Sequence, residues 1–575
     1  MKKFRIIAIV LSVVMLMGMV AACQPKGDGK ESVKPTPTPT KGAQPSQPPA
    51  DINETGTLKL MWHQRGGIDT LFESPIQDCQ SLYPYMVFDP LLSLSGKEGN
   101  LVPKLAKEWD VSADGTTYTF TLREGVKWHN GDPFTAEDVA FTFWVTLADP
   151  ASAITKPMMI NIVGADEVLD KNADTLSGVT IDGNKVSVKL KAANRSFLTF
   201  VAMMYILPAK AFVGVERNNL ETCDYWKKPY GTGIYKIDEA VFPDYFTCVR
   251  NEEYWGGAAK IKKVQFTSYA TGGDDAVVAA LIAGELDFAY GNTLNDITVS
   301  NNVHKQNPDV TGVVMPYNYC RFFIFNEVGA TDGNEHPGIK DERVRQAITR
   351  LVDREAIASL YTGQSEVRTT FVPHVHKMYN NDIPHFQRDV AGAKKLLDEA
   401  DFDYSKKIRI CYYYDDQTTV DAMDLVCQNL ADAGIKAESF LATGDLGNVM
   451  YTVRNYDMLY AGWTKDDPVL IYMDVMADGG EDAILGESGE GYDYRKEHFT
   501  DKINAYNAAT DDAEAKRIAD EIQASGVESA HFFPVYGLNN IEMVNTAHVS
   551  VPDIVFEYGY ASNRDYKFGE WSLVG

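Results

Sequence analysis

The chain has 575 residues, 45% hydrophobic and 23% charged, and its 80 acidic and 54 basic side chains give a formal net charge of −26. That length exceeds one small core and points to two or three lobes. The acidic surplus excludes a nucleic-acid binder, whose affinity comes from Lys and Arg neutralising phosphates, and excludes adhesion to anionic lipid by charge alone.

Lys2, Lys3 and Arg5 precede the apolar stretch 6–22, and Cys23 follows it. A positive n-region, a short apolar core and small residues at its end are the layout of a secretory signal peptide. Val20-Ala21-Ala22-Cys23 resembles a bacterial lipobox, cleaved before a lipidated Cys23. The stretch 6–22 lies at the short end of the spanning range, so residues 1–22 are read as signal and not as a membrane anchor. Residues 23–55 are rich in Pro, Thr, Gly and Ser. Such a segment cannot bury a core, and at about 3 Å per residue it holds a domain tens of ångströms off a membrane. The expectation is an exported protein on the extracellular face of the cell membrane (the periplasmic space where an outer membrane exists), held by its lipid alone. The cysteines beyond Cys23, at 79, 223, 248, 320, 411 and 427, are widely spaced with no C-x-x-C. They read as free thiols, with one bridge left open.

Downstream, 56–63 alternates like a strand, and Thr117, Thr119 and Thr121 alternate with Tyr118, Phe120 and Leu122 as a half-buried strand. Asn130-Gly131 and Asp132-Pro133 mark a turn. Thr135-Ala-Glu-Asp138 then predicts a capped helix start, the hydroxyl accepting an early helical N–H. Residues 178–191 read as a hairpin bent at Asp182-Gly183. Helices are predicted over 275–284, 341–360, 389–400, 418–433 and 511–529. Strands at 407–414 and 435–440 flank one of these, and a short helix near 446–455 leads into "YDMLYAG". This βαβαβ order means a parallel sheet with helices on its faces, where ligands sit beyond the carboxyl ends of strands. Trp463, Asp466 and Asp467 fall at such an end.

Catalytic patterns are missing: no G-x-S-x-G, H-E-x-x-H, Gly-rich phosphate loop or zinc-spaced Cys/His set occurs. The expectation is a binding protein without cofactor or metal, not an enzyme. His374, His376 and His385 cluster in a loop-like stretch lacking carboxylates at ligand spacing, and His129 sits in a turn and reads as structural. Asp466 and Asp467 are adjacent, so on an extended chain they point apart and neither serves the other as an acid–base partner.

Residues 101–143, with "DGTTYTFTLREGVKWHNGDPFTAEDV" at their centre, resemble the signature region of the family 5 extracellular solute-binding proteins, the dipeptide/oligopeptide-type receptors of ABC importers. "YGTGIYKI" (230–237), "RNEEYWGG" (250–257), "ALIAGELDFAYG" (280–291), "DERVRQAITRLVDREAI" (341–357), "AKKLLDEAD" (393–401) and "FFPVY" (532–536) agree in order, so the resemblance spans nearly all of 56–575. Ile234 stands where the family usually has Pro, and "TKDDP" is shorter than many family versions of that loop.

The resemblance implies an α/β, two-lobed periplasmic-binding-protein-like fold (type II, class C) with an extra inserted subdomain. By analogy lobe I takes 56–91, 211–318 and 537–575, the inserted subdomain 92–210, and lobe II 319–536, with hinges near 318 and 536. It implies capture of a ligand between closing lobes and delivery to ABC permease subunits; a monomer is expected. In peptide-binding members an aspartate after the Gly-Trp pairs with the peptide's α-amino group. Aligned on this chain it is Asp466, with Asp467 in reserve. Trp463 would line the site or pack in the core, and Asp466 would otherwise be a turn residue before Pro468. Arg321, basic inside the apolar "YCRFFIFN", meets a ligand carboxylate or an internal acid. Relatives also bind oligosaccharides and nickel complexes. Tyr317, Tyr319, Tyr412, Tyr413, Tyr414 and Trp463 offer stacking faces for sugars. Asp466 favours peptides over oligosaccharides, and peptide sensing without transport stays open.

Overall fold

The computed structural model describes residues 51–62, 70–72, 82–96, 99–148, 159–269, 273–290, 297–361, 363–465, 467–476, 492–557 and 564–575. The predicted signal peptide and linker (residues 1–50, with Cys23), Cys79 and Asp466 lie outside the described residues. Cys223, Cys248, Cys320, Cys411 and Cys427 are free thiols.

In chain order the strands are β1 (Thr57–Trp62), β2 (Leu92–Ser95), β3 (Asn100–Pro103), β4 (Ala106–Val111), β5 (Thr117–Leu122), β6 (Val179–Asp182) and β7 (Lys185–Lys189). There follow β8 (Tyr235–Val241), β9 (Tyr245–Arg250), β10 (Lys263–Ser268), β11 (Phe288–Ala289) and the long β12 (Val310–Phe325). The last are β13 (Ser365–Val367), β14 (Lys407–Tyr412), β15 (Lys436–Leu441), β16 (Met458–Thr464), the long β17 (Phe532–Asn545), β18 (Val549–Ser550) and β19 (Ser572–Leu573). Among the described residues an 11-stranded sheet runs β15-β14-β16-β12-β17-β11-β1-β10-β9-β8, with β13 also on β17, and a 4-stranded sheet runs β4-β5-β7-β6.

β14 pairs in parallel with both β15 and β16, as the βαβαβ pattern requires. β12 lies antiparallel to β16 and β17. Its side chains alternate between two cores: Cys320, Phe322 and Ile324 on one face, Phe323 and Phe325 on the other. A strand buried on both faces reads as a continuous apolar run, which is why Arg321 is conspicuous there. The β12–β17 register slips between Met315 and Tyr319, and again between Arg321 and Phe322 opposite Tyr536 and Pro534. Pro316 has no N–H to give the ladder and sits in the first slip. A separate core fills the 91–206 segment around β4–β7, with Phe120, Val139, Phe143, Val186 and Phe197 at its centre.

The predicted 341–360 helix is two helices, Glu342–Leu351 and Arg354–Ser359. Val352 is extended, and Asp353 caps the second by accepting the Ala356 N–H at 2.9 Å. At the 135–138 start the bonding is reversed from expectation. The Asp138 carboxylate accepts the Thr135 N–H at 2.9 Å, and the Thr135 hydroxyl donates to the same oxygen at 3.3 Å. Asp138 also accepts from Trp128 Nε1 and the Ala209 N–H, so this motif acid is a buried structural node.

The Gly-Thr-Gly motif is likewise structural. A Cβ at Gly231 would overlap the Val87 carbonyl, and one at Gly233 would lie 2.5 Å from the Val87 carbonyl carbon. Thr232 donates to buried Asp89 at 3.0 Å. His129 clamps the same turn, its Nε2 donating to the Gly233 carbonyl at 2.8 Å and its Nδ1 accepting the Gly231 N–H at 3.1 Å. Burial pulls the His129 pKa down to about 4, against about 6.5 for an unperturbed histidine. The folded state needs the neutral ring, so between these values the unfolded chain binds more protons. This contribution is complete above pH ~6.5 and is lost as the pH falls towards 4. The thermal midpoint should therefore fall between pH 7 and pH 4.5, and less steeply in His129→Gln.

Candidate functional site

The site is built at the carboxyl end of β16. Gly462, two residues before the strand ends, faces Arg321 across the ladder. A Cβ there would overlap the Tyr319 hydroxyl and reach within 2.9 Å of Arg321 Cδ. Glycine is thus what lets both side chains stand at this position. Gly462→Ala should cost about 1–3 kcal/mol through overpacking, read as a lower urea midpoint.

Trp463 is half-buried against Phe322, with ring centroids 5.2 Å apart, so part of it serves the core. Asn318, fully buried in the β12 slip, donates through Nδ2 to the Lys465 carbonyl and thereby ties β12 to the loop after Trp463.

Asp467 is fully engaged. Oδ1 accepts the Val469 N–H at 3.0 Å, capping the short Pro468–Leu470 turn. Oδ2 accepts from Tyr506 Oη at 2.8 Å and from Ser196 Oγ at 3.2 Å. Neither Ser196 nor Tyr506 was anticipated from the sequence; nothing local distinguishes them from other hydroxyl residues. Asp467 lines a cavity of about 460 Å³ together with apolar Leu94, Leu101, Leu198 and Met378.

Among the described residues Arg321 pairs with no internal acid. It is 8% exposed, and its Nε and Nη1 are buried without a hydrogen-bond partner. Tyrosines surround it instead, its Cζ lying 3.2 Å from the Tyr414 ring centroid, 5.1 Å from Tyr319 and 5.6 Å from Tyr460. The phenols are bonded to one another, Tyr319 to Tyr414 at 2.8 Å, Tyr414 to Tyr413 at 2.9 Å, and Tyr460 to Tyr536 at 2.6 Å. Burial pushes the Tyr414 and Tyr460 hydroxyls well up, so they stay neutral and leave the guanidinium charge uncancelled. Tyr317 and Tyr319 lie parallel with centroids 6.4 Å apart, and Tyr412 is buried in the core that holds Phe323 and Phe325.

The histidines do not gather. His374 pairs with Glu366 at 2.9 Å, His376 accepts the Met378 N–H at 3.2 Å, and His385 lines a separate pocket with Phe386. Among the described residues no group of three His, Cys, Asp or Glu stands where it could hold a metal ion.

Three comparisons bear on this arrangement. The family model for bacterial extracellular solute-binding proteins, family 5 (middle), matches residues 100–479. A putative ABC transporter peptide-binding protein of Brucella ovis is 28% identical over 384 residues, 65% of this chain and 68% of that one. The nickel-binding periplasmic protein of Escherichia coli is 30% identical over 318 residues, 55% of this chain and 56% of that one. Among solved structures, the ABC transporter substrate-binding protein CtaP of Listeria monocytogenes superposes with a TM-score of 0.73 at 23% identity, covering 90% of this chain and 99% of that one. At that identity the likeness speaks for the fold.

Proposed function

The chain belongs to the bacterial extracellular solute-binding proteins of family 5, which serve ABC importers and are not enzymes, and from that premise we propose that it captures a short peptide and delivers it to a permease. In this reading Cys23 carries the lipid anchor. Lobe I (56–91, 211–318, 537–575) and lobe II (319–536) close on the ligand, with 92–210 inserted in the first. The separate 91–206 core supports the insertion, and the two β12–β17 slips beside the crossings near 318 and 536 support hinges there.

The observation that carries the ligand class is the uncompensated Arg321 guanidinium. A buried charge without a partner is costly, and a ligand carboxylate would answer it with charge-assisted hydrogen bonds. Asp466 at the adjacent strand end would take the ligand's ammonium, Trp463 would line the site, and Asp467 shapes the turn. A cation at Arg321 with an aspartate two residues beyond β16 in sequence suits a zwitterion. An oligosaccharide would stack on tyrosines but leave the guanidinium unanswered, so it is the second reading. Calorimetric titration with a peptide pool and with cello- and xylo-oligosaccharides separates them. Saturable heat from the peptides supports the proposal; saturable sugar binding with no peptide response overturns it. Mass spectrometry of the co-purifying ligand gives its length.

A further inference from the structure

Residues 194–196 end the loop that enters the Phe197–Met203 helix of the 92–210 segment, and they reach across to residues 467 and 506–512. Arg195 carries most of the contact. Its Nη2 donates to Asp512 Oδ1 at 2.7 Å, its Nη1 to the Ala509 carbonyl at 3.1 Å, and its backbone N–H to the Asn507 carbonyl at 3.0 Å. The guanidinium lies 5.1 Å from the Tyr506 ring centroid. Ser196 Oγ donates to Asp467, which also accepts from Tyr506 Oη. The fit is close: a Cβ at Gly115 would meet Ala193 at 3.1 Å and Thr510 at 3.3 Å.

We infer that Arg195 and Ser196 form a latch that holds the 92–210 segment against the 319–536 segment and so positions the ligand-bearing turn. The latch lands on Asp467, the residue that caps the turn following β16. Whatever immobilises that turn from the ligand side also fixes the acceptor that Ser196 needs, so occupancy and closure reinforce each other. Arg195 lines the same cavity as Asp467, but its hydrogen bonds go to Asn507, Ala509 and Asp512; it is a positioning residue. Its chemistry suits a reversible contact. The Asp512 side chain is 77% exposed, and an exposed ion pair is worth little alone. The two backbone acceptors and the tyrosine face add to it, giving a hold that ligand-scale energies can tip.

The link to ligand capture rests on the proposed function, but the latch itself is tested without ligand. Small-angle scattering of the full, ligand-stripped chain and of Arg195→Ala, Asp512→Asn and Arg195→Lys reads closure directly, since all four share the same N-terminal segment. Arg195→Ala and Asp512→Asn should raise the radius of gyration by about 1 Å, on roughly 24 Å for a compact chain of this size. Arg195→Lys, which keeps the charge, should recover part of the change. Thermal midpoints should stay within a degree or two, because the Asp512 side of the ion pair is exposed and an exposed pair is worth little. An unchanged radius in both Arg195→Ala and Asp512→Asn overturns the latch. So does a lowered midpoint without expansion, which would make Arg195 merely structural. Failure of peptide binding alongside an expanded Arg195→Ala would leave the latch standing and overturn only the ligand assignment.

Discussion

Asp466→Ala should weaken binding of peptides with a free amino terminus by two to three orders of magnitude while leaving the fold intact. An ammonium left in a closed site without its counter-charge costs about 3–5 kcal/mol, and each ~1.4 kcal/mol is tenfold in Kd. Titration of one peptide and its N-acetylated form against both proteins checks this. The acetylated form should bind weakly to each and gain nothing from Asp466. Unchanged affinity for the free peptide would make the carboxylate a turn residue before Pro468. Asp467→Ala should behave differently. Its carboxylate serves the Val469 N–H, Tyr506 and Ser196, so its loss should appear as about 1 kcal/mol of stability from the missing cap.

Arg321→Met should separate stability from affinity, with opposite signs. Replacing an unneutralised buried charge by an apolar side chain of similar shape is commonly neutral or stabilising by about 1–4 kcal/mol. Against this stand the lost tyrosine contacts, worth roughly 0.5–2 kcal/mol for a cation on an aromatic face. The balance favours a ligand-free protein at least as stable as the original, measured by urea unfolding. Peptides with a free carboxyl terminus should bind at least 30-fold more weakly, since truncating one side of a desolvated charge pair costs about 2–5 kcal/mol. Their C-terminal amides should be indifferent to the change. If Arg321→Met instead unfolds several kcal/mol more easily, the guanidinium is a structural member of the tyrosine cluster and the carboxylate assignment falls. A site that destabilises its own empty state to hold a ligand is a common compromise between stability and function.

Much of the fold is legible in the sequence because its elements follow local periodicity. The alternation in 117–122, the heptad-like spacing of Met423, Val426 and Leu430, and the apolar run into Trp463 are set by which face each residue buries, and the structure places elements at all three. The break between the 342–351 and 354–359 helices is harder to see. The pattern stays helical through Val352, and only the Asp353 cap bond divides it. The direction of the Thr135–Asp138 bonding is hidden for another reason. Asp138 is drawn inward by Trp128 and Ala209, and Ala209 stands 71 residues away.

The sequence by itself determined the family, the parallel β14–β16 sheet, and the strand end that carries Trp463. Only the tertiary structure decided what the charges there do. Asp467 is taken up by Ser196, 271 residues distant, and by Tyr506. Arg321 is enclosed by tyrosines from β12, β16 and the segment just after β14, and among the described residues it pairs with no acid. Periodicity records which way a side chain points; whether its charge is paired depends on groups that folding brings from far along the chain, and on the burial that sets the cost of leaving it unpaired.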